Sequence, residues 1–146
     1  MTRADTLRPV AQLADDREQR AAKALTAAQS TLDTQLAKLT ELERYRQSYI
    51  DALEGEVSRG IGGIRETRLF IVRLQQAISQ QQSVVSRARA SLEATRAHWL
   101  AQRQHAQALS RVMDDARLAE QRERLLADQR EDDERSVQRA ARSRVG

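Results

Sequence analysis

The chain has 146 residues with one proline, five glycines, no cysteine and four aromatic side chains, and 32% of its residues are charged. So few turn formers and large side chains exclude a multilayer globular core, and the lack of cysteine excludes disulfides, thiolate nucleophiles and cysteine-ligated metals. A formal charge of +4 and a pI near 10.3 suggest nucleic acid, but the basic residues do not form a block. Residues 1–60 hold nine Lys/Arg against ten Asp/Glu, residues 61–116 eight against four, and residues 117–146 eight against seven. Arginines stand beside carboxylates, as in Arg122-Glu123-Arg124, which is the pattern of solvated helix faces carrying i,i+4 pairs.

Ala, Leu, Arg, Gln and Glu dominate, all strong helix formers, and no stretch alternates as a strand would. The predicted class is all-α: two long helices forming an antiparallel coiled-coil hairpin, with a C-terminal helical overhang. Pro9, behind Asp5 and Thr6, suits a first helical turn, so helix 1 is expected over about 6–55. Within it Leu7, Ala11, Ala14, Glu18, Ala21, Leu25, Ala28, Leu32, Gln35, Leu39, Leu42, Arg46, Tyr49 and Leu53 recur at alternating spacings of four and three. Four of the five glycines fall between Gly55 and Gly63, which predicts the turn at about 56–64.

After the turn the same spacing returns in Ile71, Leu74, Ile78, Gln81, Val85, Ala88, Leu92, Thr95, Trp99, Gln102, Ala106, Leu109, Met113 and Ala116. Alternation sustained over this many heptads is specific for coiled-coil packing. The predicted seam core is Leu25, Leu32, Leu39, Leu53, Ile71, Leu74, Ile78, Val85, Leu92, Trp99, Leu109 and Met113. Symmetry about residue 62 would set Leu53 near Ile71, Leu39 near Val85, Leu32 near Leu92 and Leu25 near Trp99, with partner numbers totalling about 124. The same heptads would also serve a swapped dimer with helices continuous through the glycines. Helix 2 is expected to pair over about 65–116 and to run on unpaired over 117–146, one coiled-coil domain in all. In that overhang Leu118, Leu125 and Leu126 would face solvent on a charged helix, where exposed leucines signal a partner surface.

Chemistry-bearing constellations are weak. His98 and His105 lie seven residues apart, about 10 Å along a helix, too far to share a metal. Glu131-Asp132-Asp133-Glu134 lacks the glycine and spacing of a calcium loop, and Gly60-Ile61-Gly62-Gly63 has neither a preceding strand nor a following Gly-Lys-Ser/Thr. No catalytic, metal or cofactor site is expected, and therefore no enzyme. The longest uninterrupted apolar run is Leu69-Phe70-Ile71-Val72, and no signal-peptide hydrophobic region opens the chain, so the expected location is the cytoplasm.

Further residues fall in a recognisable order. They are Arg3, Leu7-Arg8-Pro9-Val10 and Leu13-Ala14 with Glu18 and Ala21-Ala22, then Leu39, Leu42, Tyr45-Arg46 and Tyr49 before the glycines. Leu69-Phe70-Ile71, Leu74, Ala77-Ile78 and Gln81-Gln82 follow, then Leu92, Arg96 and Trp99, and finally Arg130-Glu131, Asp133-Glu134 and Arg139. In this order and spacing around one turn the chain resembles the flagellar type III export protein FliJ family. The resemblance implies a cytoplasmic, stalk-like, non-enzymatic component at the inner-membrane export apparatus, without a cofactor. Its partners would be the hexameric export ATPase, the cytoplasmic domain of the export gate and the export chaperones, and it would reach the membrane through partners only. Partner contacts are expected at the open end and overhang, from Leu7, Arg8, Val10, Arg117, Leu118, Leu125, Leu126, Arg130, Glu131, Asp133, Glu134 and Arg139. The equivalent stalk of a virulence-type secretion system shares this periodicity. A basic coiled coil binding nucleic acid through Arg87, Arg89, Arg96 and Arg103 is the alternative of another class, opposed by the interleaved acids and the lack of stacking aromatics.

Overall fold

The computed structural model of the chain describes residues 2–60 and 63–145, the side chain of Arg59 excepted. Two helices occupy nearly all of it, α1 over Arg3–Arg59 and α2 over Ile64–Val145. They pack against each other as an all-α hairpin, with no strand among the described residues. None of the described helices is long and apolar enough to cross a membrane.

Helix α1 starts earlier than Pro9 suggests because Thr2 caps it. The Asp5 N–H donates to Thr2 Oγ1 at 3.1 Å and the Thr6 N–H to the Thr2 carbonyl at 3.1 Å, which satisfies donors a helix start otherwise leaves open. Pro9 therefore sits inside the helix, on an exposed stretch, and removes one intrahelical bond, that to the Asp5 carbonyl. At the other end α1 runs through Gly55 to Arg59, beyond the expected limit near 55. Glu56 contributes to holding this last turn, since Thr67 Oγ1 of α2 donates to its Oε2 at 3.4 Å. Gly60 and Gly63 take φ values of 68° and 90°, a region open to glycine at little steric cost, and so flank the chain reversal. Ile61 and Gly62, with the expected centre of symmetry, lie outside the described residues.

The described chain forms two compact units. One is Arg20–Leu100; the other joins the residues up to Gln19 to those from Ala101 on. In the unit Arg20–Leu100, Leu32, Val85 and Leu92 form a buried cluster, with Leu25, Ala28, Leu36, Leu39 and Ala88 packed against it. Ile78, at 1% exposure, is the most enclosed side chain, and Leu53, Ile71, Leu74 and Trp99 are half-buried. Tyr49, placed in the seam by its spacing, is exposed, and its ring meets that of Phe70 at 4.6 Å between centroids.

In this unit Leu32 and Leu92 share one cluster, as pairing about residue 62 expects, and the glutamine, arginine and ring contacts are offset from that pairing. Leu32 shares its cluster with both Val85 and Leu92, while Gln35 meets Gln81, Tyr49 meets Phe70 and Arg46 meets Gln75. The last three pairs total 116, 119 and 121, short of 124. A coiled-coil knob enters the space between facing residues rather than abutting one, which displaces contacts by half a heptad, and long Gln and Arg side chains reach further still.

In the other unit most of the enclosed residues are alanines. Ala4, Ala14, Met113 and Ala116 are buried, with Leu7, Ala11, Ala106 and Leu109 half-buried. Pairing here extends one step past the expected ends, Leu7 and Ala116. The Ala4 N–H donates to Glu120 Oε1 at 3.1 Å, and both residues continue the three-and-four spacing.

Candidate functional site

Helix α2 emerges from its pairing after Glu120, and residues 121–145 are exposed on every side. Leu118, Leu125, Leu126, Arg130, Glu131, Asp133, Glu134 and Arg139 are all exposed, and Leu125 reaches 65%. Leu118 and Leu125 share a helix face by their seven-residue spacing, with Leu126 beside them. Val137, another of the few aliphatics here but not among the expected contacts, is also exposed. Glu131 and Arg135 approach to 4.0 Å as a solvated i,i+4 pair, so charges here are met within the helix and stay accessible.

At the paired end the structure brings Arg8 and Arg117 together. Both line a groove of about 320 Å³ with Ala11, Gln12, Asp15, Ala106, Ser110, Met113 and Asp114, and both also line a smaller one with Asp5, Glu120 and Arg124. Leu7 is half-buried and Val10 is exposed. A third groove of about 510 Å³ holds Thr2, Arg3, Val112, Asp115, Ala116, Ala119, Glu120 and Glu123. The open end therefore presents Arg8 and Arg117 among Asp5, Asp15, Asp114 and Glu120, with Asp115 and Glu123 beside Arg3 in the third groove. Sequence reasoning missed this acidic border, although one more heptad step beyond Ala116 lands on Glu120. By contrast, Leu125 through Arg139 lie along one helix and meet no facing residue of α1.

Electrostatic perturbation among the described residues centres on the start of α1. Hydrogen bonding from the Thr2 side chain, then from its backbone, holds the Asp5 carboxyl below its ordinary range, aided by the Arg8 guanidinium, whose Nη2 lies 3.4 Å from Asp5 Oδ1. Asp5 thus closes a capping box with Thr2. His98 and His105 are both exposed, and no group of three His, Cys, Asp or Glu among the described residues could hold a metal ion. The grooves are open and shallow, lined by alanines and mutually compensating charges, which suits reversible contact with another protein.

Fold and surfaces together define an antiparallel coiled-coil protein whose long second helix runs on exposed over 121–145. The family described as the flagellar FliJ protein matches residues 3–145, nearly the whole chain, and the chain belongs to that family. It is thereby a flagellar export-related component, of a family without a catalytic role. No curated protein and no solved structure matches the chain.

Proposed function

We propose that this protein is a stalk-like component of the flagellar type III export apparatus, working in the cytoplasm at the inner membrane. It binds the hexameric export ATPase and couples it to the export gate and to substrate chaperones. The observation that carries the reading is the exposure of α2 over 121–145. A lone polar helix is marginal in water, and one that presents Leu125, Leu126 and Val137 among alternating arginines and acids is suited to ordering against a partner. The border of Arg8, Arg117, Asp114 and Glu120 adjoins this stretch within the same unit. Mixed charge allows contact with several subunits of a ring through reversible ion pairs, without a permanent apolar lock. The test is a pull-down of the cognate export ATPase with the full chain. Retention of the ATPase, weakened when Leu125 and Leu126 are both changed to serine, supports the reading; absence of retention contradicts it.

A further inference from the structure

The seam-facing stripe at the start of α2 is Thr67, Ile71, Leu74 and Ile78, all wholly or partly buried. Arg65, Arg68, Leu69 and Val72 lie on the opposite face, linked by spacings of three and four. Leu69 and Val72 are each more than half exposed, and with Ile64, Arg65 and Arg68 they line a shallow surface to which, among the described residues, α1 contributes no wall.

Charge on this face is one-sided. Arg65, Arg68 and the adjoining Arg73 are exposed, and among the described residues none is paired with a carboxylate. Glu66 is the sole acid in the sequence between Gly63 and Glu93. Arginines in the first turns also oppose the helix macrodipole, whose positive end lies here and which favours acids. An unfavourable placement for the isolated helix becomes favourable when an anionic surface faces it.

We propose that this face of α2 docks on the surface of an anionic lipid bilayer. Two apolar side chains flanked by arginines on one convex helix form the shallow-insertion pattern of interfacial helices, with the arginine stems lying along the apolar surface and the guanidiniums among phosphates. An acidic peptide helix would need a groove with two walls, which is missing here. The contact is weak and reversible, because so few groups take part, and it adds a direct membrane contact to any made through protein partners. It goes beyond the ATPase-binding reading and uses other residues, so either can fail alone.

The test is co-sedimentation of the full chain with vesicles of phosphatidylglycerol and phosphatidylethanolamine, against vesicles of phosphatidylcholine alone. The chain should bind the first and not the second, and added salt should weaken binding. Arg65→Gln with Arg68→Gln should lower binding about 25-fold, at about fivefold per basic group. Leu69→Ser with Val72→Ser should also lower it, both variants keeping the parent melting temperature and ATPase retention. Absence of binding to anionic vesicles, or binding by either variant equal to that of the parent chain, overturns the proposal. So does a doubling of mass in lipid-free light scattering that the substitutions abolish, since a second copy would then occupy the face. Capture on immobilised poly-glutamate without vesicle binding would assign the face to an acidic protein and overturn it equally.

Discussion

Gln81 reaches from α2 to α1 and donates its side-chain amide to both the backbone carbonyl and the Oε1 of Gln35, at 2.9 and 2.8 Å. Both glutamines stand half-buried in the seam, where the Gln81 amide satisfies two Gln35 acceptors. A polar pair of this kind fixes which residues face one another at some expense of stability. Changing Gln81→Leu alone leaves two Gln35 acceptors without their donor and should lower stability by about 1 kcal/mol. Changing both to leucine should raise the melting temperature while admitting neighbouring registers. Urea melts followed by circular dichroism check the first expectation, and cysteine pairs placed across the seam check the second.

Ile78 and the cluster of Leu32, Val85 and Leu92 are the closest approach to a core in this chain. Ile78→Ala should cost about 2–4 kcal/mol, the range for emptying an enclosed aliphatic site. Ala14→Gly, at an equally buried but small position, should cost nearer 1 kcal/mol through helix propensity. Equilibrium denaturation of the two variants compares them directly.

Arg46 sits in the seam with its Nη1 donating to Gln75 Oε1 at 2.6 Å, while its buried Nε has no hydrogen-bond partner among the described residues. Burying a donor without an acceptor costs on the order of 1–3 kcal/mol. Arg46→Met keeps the stem's packing and removes that donor, so it should leave stability unchanged or raise it. A fall of the melting temperature by several degrees would show the guanidinium to be stabilising where it stands.

The two heptad series are legible because leucine and alanine repeat at coiled-coil spacing on both sides of one glycine cluster, and nearly every position they name is enclosed. Register is less legible. Spacing says which face of a helix is covered, whereas the facing positions depend on how knobs enter the opposite helix and on which polar residues find each other, as Gln35 and Gln81 do. At the helix start Pro9 is the louder signal, and it outweighs Thr2 and Asp5, whose capping box becomes visible only once both hydrogen bonds are considered. At the open end, Leu118, Leu125 and Leu126 stand out by residue type alone. The groove that joins Arg8 to Arg117 requires two segments more than a hundred residues apart to be brought together, which no local pattern reports.

Asp5 supplies a pH-dependent element at the start of α1. Its carboxyl titrates below the ordinary carboxylate value because of hydrogen bonding from Thr2 and the nearby Arg8. A group lowered on folding contributes stability above its unfolded pKa and loses it as pH falls through the folded value. Amide exchange in the first turns of α1 should therefore speed up, relative to the middle of the helix, once the solution is acidified below the ordinary carboxylate range. Thr2→Ala should produce the same fraying at neutral pH, at about 1 kcal/mol. Exchange rates of the Asp5 and Thr6 amides report both.

Removal of the chain after Glu120 tests the stalk reading most directly, because the Ala4–Glu120 contact is retained and only exposed helix is lost. The truncated protein should melt within a few degrees of the full chain. With the hexameric export ATPase, the full chain should bind, promote ring assembly and raise the rate of ATP hydrolysis, and the truncated chain should do so much less. Equal stimulation by both would place the ATPase contact elsewhere, and no binding or change in rate by the intact protein would contradict the stalk function.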